Sequence, residues 1–394
     1  MKEQDPYSSL YTLVGEVPDP RLPRGLRHPI ADVLFIILVA VLAGAEDAEA
    51  VEDFAYHHED WFRERCGLRH GIPSQDTYLR VLAAMEPRAF GEAFERWVAE
   101  VWGVPAERHV AIDGKSLRRS FDRAAGQSAV HSVAAFASEQ GLVLSQVTVN
   151  KKENEIVAIP RLLRLIDLNG ATVTIDAMGC QTAIAGAIVD AGGDYILQVK
   201  DNHPTLRGQI AEFFADANRT KRPLDDPAPE MEEAVETDSS HGRIEERRCQ
   251  LSRDLSWLDG APDWPALSAI AKVDRRRENK TSSETSQEAA YYIVSNPGAT
   301  AEQINALIRS HWAIENSLHW TLDVTFDEDR CRVRKGNAAQ NLGLIRRAAF
   351  NLLRQAPNPG RKKAKVSIAR RRRICMMSTQ YRELVLKLTP PETA

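Results

Sequence analysis

Cysteine is scarce in this 394-residue chain: Cys66, Cys180, Cys249, Cys331 and Cys375 are the only five, and no two form a C-x-x-C pair. An odd, scattered set excludes a disulfide frame and a zinc knuckle and points to a reducing compartment, the cytoplasm. Long apolar runs are missing too. The longest, Val33 to Ala45, has 13 residues, whereas a bilayer-spanning helix needs roughly 20. A buried core helix is expected there, and no membrane partner. The N-terminus, MKEQDPYSSL, has neither the basic-then-apolar order of a secretory signal nor the Arg/Ser-rich, acid-poor character of a transit peptide. No repeat recurs at solenoid periods. Nor does one sign of charge dominate: the net charge is −4, which at the scale of the whole chain argues against a nucleic-acid binder. What remains is a composition ordinary for a globular protein, 43% apolar and 27% charged, with length enough for two or three folding units.

The hydrophobic period changes along the chain. Residues 1–104 pass from a proline-interrupted arm (Pro6, Pro18, Pro20, Pro23) into helical spacing through Phe54, Phe90 and Val98, giving an expected N-terminal helical domain. Residues 105–200 read as strand HVAIDG, a hairpin of VHSVAAFAS and LVLSQVTV, a helix from Ile159, strand ATVTIDA, a helix from Gln181 and strand DYILQVK. That order implies an α/β fold with a mixed sheet flanked by helices. Residues 201–298 read as a β-rich insertion with a mobile acidic loop holding seven acids between Asp225 and Asp238. In residues 299–356 helical spacing returns, with one helix expected over Ala301 to Leu322. Residues 357–394 read as a basic tail.

The strands HVAID and TVTID are almost wholly apolar and each ends in a carboxylate, Asp113 and Asp176. The carboxyl ends of strands are where open α/β sheets place their ligands. Either Asp alone reads as a turn or helix-cap residue. Side by side, two such carboxylates repel, and a divalent cation relieves the repulsion. A third acid is available in HWAIENSLHWTLD, where His311, Glu315, His319 and Asp323 recur every four residues and share one face of a helix. Glu315 is the expected third ligand. The two tryptophans beside this stripe, Trp312 and Trp320, argue against its being a solvated face. Its H-x-x-x-E-x-x-x-H pattern also admits a zinc hydrolase, a weaker reading because the spacing is not H-E-x-x-H.

With these three acids in place, the chain resembles the insertion-sequence DDE transposases of the H-repeat-associated (ISAs-type) family. The resemblance covers nearly the whole chain and rests on IPSQDTYLRVL, AIDGKSLRRS, NEIVAIPRLL, VTIDAMGCQTAIA, DYILQVKDNH, HGRIEERR, YYIVS and HWAIENSLHWTLDVTFDEDRCRVRKGNAAQNLGLIRR. It implies an RNase H-like core and a β-rich insertion between the second Asp and the Glu. It also implies Mg²⁺-dependent (or Mn²⁺-dependent) cleavage and strand transfer of double-stranded DNA at element ends, in a bacterial nucleoid, by a homodimer or larger assembly. Asp113, Asp176 and Glu315 match the family's DDE triad, expected to hold two ions. The alternative is a catalytically inactive, transposase-derived DNA-binding protein. The broader superfamily places Tyr, Arg and Lys where this chain has Ile308, His311 and Leu322, so His311 or Arg309 is expected to substitute in contacting phosphate.

Further phosphate contacts are expected from Lys115, Arg118, Arg119, Lys200, Arg330, Arg332, Arg334 and Lys335. The charge count supports a nucleic-acid partner once it is divided. Residues 330–394 hold 17 Lys/Arg and 2 Asp/Glu, a net of +15, leaving −19 on residues 1–329. Other polar residues carry less. His57 and His58 read as a surface cluster, Lys151 and Lys152 as a solvated pair, and His131 as a hydrogen-bonded core residue. His241 to Glu245 reads as a DNA contact or a strand entry, and Glu153 and Glu155 as acids favoured at a helix start.

Overall fold

The computed structural model describes residues 8–23, 26–103, 109–121, 126, 128–149, 153–219, 229–240, 243–280, 282, 284–360 and 366–386. Lys151, Lys152 and His241 lie outside the described residues. Six helices open the chain: α1 (Ser8–Gly15), α2 (Ile30–Ala43), α3 (Ala48–His57), α4 (Glu59–Cys66), α5 (Gln75–Ala84) and α6 (Pro87–Trp102). The apolar run is α2, and twelve of its fourteen residues are buried. No helix among the described residues is long and apolar enough to cross a membrane. Local chemistry sets the other starts. Asp47 caps α3 by accepting from the Ala50 N–H at 2.9 Å, and Pro87 occupies the first position of α6, where a missing N–H costs nothing.

Then come β1 (His109–Leu117), β2 (Val130–Ala137), β3 (Leu142–Val149), α7 (Glu155–Leu163), β4 (Thr172–Ile175), α8 (Thr182–Asp190), β5 (Asp194–Val199) and α9 (Pro204–Ala217). α7 begins four residues before the expected Ile159, because Asn154 caps it by accepting from the Val157 N–H. The remainder is β6 (Glu232–Ser240), β7 (Arg243–Ser252), β8 (Ala269–Asn279), β9 (Thr285–Val294), α10 (Ala301–His311), a π-turn (Ile314–His319), α11 (Trp320–Val324), α12 (Ala338–Gln355), α13 (Ile368–Met377) and α14 (Thr379–Leu386). All nine strands form one sheet in the order β3-β2-β1-β4-β5-β9-β8-β7-β6. β1, β4 and β5 run parallel, and the strands on either side add antiparallel. This is the RNase H-like mixed sheet flanked by helices that the resemblance implied, and the insertion extends it.

Alternation along β1 divides the core. Val110 and Ile112 face α7, α8 and α9, together with Val133 and Ala135. Ala111 faces the other way with Ala134, Phe136 and Val143, into one cluster that runs from Leu10 through α2 and α6 to Leu318, Leu322, α12 and Leu386. The N-terminal helices therefore share a core with the last helices of the chain.

Three expectations are corrected. The acidic stretch is not a loop over residues 232–240 but the edge strand β6, because basic partners answer its acids: Glu233 pairs with Arg248 at 2.6 Å, and Arg309 pairs with Glu236 and Asp238. The C-terminal segment is not a tail over residues 368–386, because its arginines supply donors to carbonyls at helix ends. Arg372 Nε donates to Val41 O and Nη2 to Ala45 O, both at 3.0 Å, while Nη1 donates to Thr325 O. Arg371 donates to Leu353 O and Ala356 O. With Arg346, Arg347 and Arg382 also buried, five of the seventeen basic residues of the +15 segment are interior groups. The third correction, the break in the expected helix over Ala301 to Leu322, is a feature of the site.

On edge strand β3, a single side chain serves both backbone groups of Val143. Asn351 of α12, fully buried, accepts from the Val143 N–H and donates to the Val143 carbonyl, both at 2.9 Å. Asn351→Leu leaves both groups unpaired in the core, and a loss of about 2–4 kcal/mol is expected, read as a lowered thermal midpoint. Unchanged unfolding would show that β3 is held without this clamp.

Candidate active site

The register of β1 and β4 pairs His109 with Thr172 and ends at Ile112 with Ile175. The next residue on each strand is a carboxylate, so Asp113 and Asp176 come side by side where the parallel pairing stops, on neighbouring strands about 4.8 Å apart. Asp176 then caps a 3₁₀ turn, accepting from the Met178 N–H at 3.1 Å. Asp113 continues in β1 and, by alternation with Ala111, lies on the sheet face covered by the π-turn and α11, whose Ile314, Leu318 and Leu322 enter the same core.

Burial pushes the Asp113 carboxyl up to about 7, and the charges of Glu315, Asp176 and Glu155 push the same way. Asp176 is also raised, first by burial and then by Glu155, while backbone N–H groups of Gly179 and Met178 and the Lys200 ammonium oppose the rise. Thus Glu315, 139 residues beyond Asp176, reaches the charge field of the two aspartates. Among the described residues no three His, Cys, Asp or Glu side chains stand as a closed ligand group. The chemistry of the set nonetheless fits a hard divalent cation, since it offers carboxylate oxygens that repel one another.

The helix expected over Ala301 to Leu322 is broken. α10 ends at His311, and the π-turn precedes α11; an inserted π-turn is a frequent feature of functional sites. Three of the four stripe residues, His311, His319 and Asp323, find partners on the sheet, while Glu315 is exposed. His311 Nδ1 lies 2.8 Å from Thr174 Oγ1, which also lies 2.7 Å from His109 Nε2. Burial pulls His311 down to about 4 and His109 to about 3, so both are neutral. His319 Nδ1 stands 3.4 Å from Asp113 Oδ2. Burial, helped by the Arg347 and Lys115 charges, pulls His319 to about 3, so it meets Asp113 as a neutral dipole rather than an ion-pair partner. Asp323 accepts from Lys115 Nζ at 2.5 Å. The tryptophans are what the solvent sees, Trp312 being 39% and Trp320 58% exposed. The stripe is not a wholly solvated face, as expected, but the reason is the polar groups of β1 and β4 that give it partners rather than burial of the tryptophans. His311 and His319 face different partners, which removes the zinc-hydrolase pattern.

The basic candidates divide. Lys115 is 8% exposed and held by Asp323 and Asp329. Arg309 is neutralised by β6, and His311 is half-buried and uncharged, so none of the three presents a free cation. Lys200 is exposed at the end of β5 beside Asp176. Arg118 pairs with Asp329 at 3.2 Å. The exposed Arg119 accepts on its carbonyl from Arg334 Nε at 2.9 Å. Arg330, Arg332, Arg334 and Lys335 line a groove of about 770 Å³, whose other wall carries Glu46, Asp47 and Glu49.

Two residues read as ordinary in the sequence stand in the site. Glu155 Oε1 lies 2.5 Å from His131 Nε2, and His131 Nδ1 lies 2.8 Å from Ser116 Oγ. No local pattern flags them, because the contact joins β1, β2 and α7.

Comparison with known proteins gives the context. Residues 105–352 match the family model described as "Transposase DDE domain", and residues 12–98 match the model "DDE_Tnp_1-associated". The chain is 36% identical to "Putative transposase YncI" of Escherichia coli O157:H7, over 96% of this chain and 94% of that one. It is 35% identical to "H repeat-associated putative transposase YhhI" of Escherichia coli K12, over 95% and 96%. "Inactive transposase YbfQ" of the same strain is 36% identical over 70 residues, 18% of this chain and 83% of that one. Among solved structures, a piggyBac transposase synaptic complex with hairpin DNA aligns with a TM-score of 0.44 and 12% identity, over 100% of this chain and 87% of that chain.

Proposed function

Since the chain belongs to the DDE-domain transposase family, with H-repeat-associated relatives along nearly its whole length, we propose that it cleaves double-stranded DNA at the ends of a mobile element and joins the freed ends to target DNA. The observation that carries this reading is the β1/β4 register, which sets Asp113 beside Asp176 at parallel strand ends with Glu315 close enough to raise Asp113. Asp113, Asp176 and Glu315 would hold divalent cations, Mg²⁺ or Mn²⁺. Such a pair activates the attacking oxygen and stabilises the leaving oxygen of an in-line displacement at phosphorus.

The other steps belong to the protein. Water attacks the phosphorus, the P–O3′ bond breaks, and the 3′-oxygen leaves and takes a proton. In strand transfer that 3′-hydroxyl gives up its proton and attacks a target phosphorus in turn, breaking the target's own P–O3′ bond and releasing a target 3′-oxygen that takes a proton. Neutral His319 holds the Asp113 carboxylate in place without adding a charge. Asp323 keeps Lys115 turned away from the aspartates, so their negative charge is retained for cations. Lys200 and Arg119 at the strand ends, and Arg330, Arg332 and Lys335 in the groove, grip the DNA backbone, where each contact adds to a steep salt dependence. Both ends of an element are brought together by a homodimer or larger assembly on DNA, acting on the nucleoid.

A non-catalytic DNA-binding role is the second reading, favoured by the relative that bears the name of an inactive transposase. One experiment separates them: incubation with terminal inverted-repeat DNA and Mg²⁺ or Mn²⁺. Nicking that disappears in Asp176→Ala, with binding retained, is the expected result. Binding without nicking, unchanged in the variant, leaves only the second reading.

A further inference from the structure

Gly114 is one residue past Asp113, inside β1. Its backbone is not in the left-handed region, so conformational freedom does not explain a glycine there. Space does. A Cβ at this position would stand 2.1 Å from Glu155 Oε1, 2.5 Å from Glu155 Cδ and 2.9 Å from His131 Nε2, well inside van der Waals contact. The bare backbone is a window through which the Glu155 carboxylate approaches the strand end, a use of glycine seen where another group must come close to a strand.

Glu155 is held in that window from behind. It is the first residue of α7, where an acid is favoured by the helix dipole, but dipole chemistry alone needs neither a glycine opposite nor a dedicated partner. Ser116 and His131 are cross-strand neighbours in the β1/β2 register. An ionised Glu155 can only accept, so His131 donates from Nε2 and accepts the Ser116 hydroxyl at Nδ1, which fixes the ring. The Glu155 side chain is 15% exposed. Its charge is the largest acting on Asp176, and it acts on Asp113 as well.

We propose that Glu155 is a fourth carboxylate of the cation-holding cluster, admitted by Gly114 and oriented by the positioning residues His131 and Ser116. The inference rests on the DNA-cleaving reading of Asp113 and Asp176. It changes the site from three acids on one side of the sheet's end to a set that closes from both: Glu315 from the π-turn, Glu155 from α7.

The test is a Mn²⁺ titration of the full-length protein, following the loss of the free-ion paramagnetic resonance signal, with cleavage of element-end DNA measured in parallel. Glu155→Gln keeps size and an acceptor for His131 while removing the charge. It is expected to weaken Mn²⁺ binding about tenfold or more and to slow cleavage. Gly114→Ala, which pushes Glu155 aside without altering it, should do the same. His131→Leu should weaken binding less, and His131→Gln, which keeps a donor, less still. Asp176→Asn is the reference. If it loses Mn²⁺ while Glu155→Gln and Gly114→Ala bind it as the wild type does, Glu155 is a helix-start acid and the proposal is overturned. If Asp176→Asn also binds normally, the failure belongs to the reading of the aspartates.

Discussion

Asp113→Asn will abolish DNA cleavage and, in the same protein, raise its thermal stability. The Asp113 carboxyl sits at about 7 in the fold against its usual 3.8, first because it is buried and then because three acids surround it. Between those values the folded chain keeps a proton that the unfolded chain has released. Stability therefore falls as pH rises from about 4 to 7, and the full cost is present above 7. Asparagine carries no charge, so the variant escapes a cost of up to about 4 kcal/mol, at 1.36 kcal/mol for each tenfold in the equilibrium. Thermal midpoints of chelator-treated wild type and variant should coincide near pH 4 and separate toward pH 8, with the variant higher. Adding Mg²⁺ should raise only the wild type. Cleavage should fall about a thousandfold or more, since about 4 kcal/mol of transition-state charge stabilisation goes with the lost ligand. Parallel midpoint curves would show that Asp113 is not strained by its neighbours.

Glu328→Gln is expected to be the most damaging substitution away from the aspartates. Glu328 Oε1 accepts from Arg347 Nη1 at 2.9 Å, and neither side chain is exposed at all. Removing the carboxylate leaves the Arg347 guanidinium charged and buried, which costs about 3–5 kcal/mol, a large part of the 5–15 kcal/mol typical of a folded domain. A paired change, Glu328→Leu with Arg347→Met, removes both charges and should recover most of that loss. Although burial alone would raise it, the charges of Arg347, Arg346 and Lys115 hold Glu328 below its usual carboxylate value. Its stabilising effect is thus complete above the unfolded value of about 4.3 and fades as acid carries the pH below it. Wild type should lose midpoint steeply in that acid range and the paired variant less so. Equal midpoints for wild type and Glu328→Gln at pH 7 would remove the pair from the account of stability.

The parts of the site that were legible in the sequence are those whose signal is local. An apolar run ending in Asp, written twice, shows in a handful of residues and needs only parallel pairing to become a site. The nearness of Glu315 to Asp113 is foreshadowed by its four-residue spacing and the family resemblance, although the π-turn that carries it is not. Glu155 was hidden, because its meaning depends on Gly114, forty-one residues earlier, and on a histidine from a third element. β6 looked like a loop because acids are depleted in strands, and its counterions lie on β7 and α10. The basic C-terminal run looked solvated. The carbonyls that Arg371 and Arg372 serve end helices elsewhere in the chain, and nothing in a string of arginines reveals them.

The clamp at Arg372 sets an order in time. Its bonds to the end of α2 cross 331 and 327 residues of chain. At 5–20 residues per second, a ribosome takes roughly 15–65 s to travel that distance. For most of that interval α2, the most apolar of the described helices, has been made while α12 and α13, which finish its enclosure, have not. The nascent protein therefore carries its stickiest segment longest, and a message cut short before Arg372 yields a chain whose first core never closes.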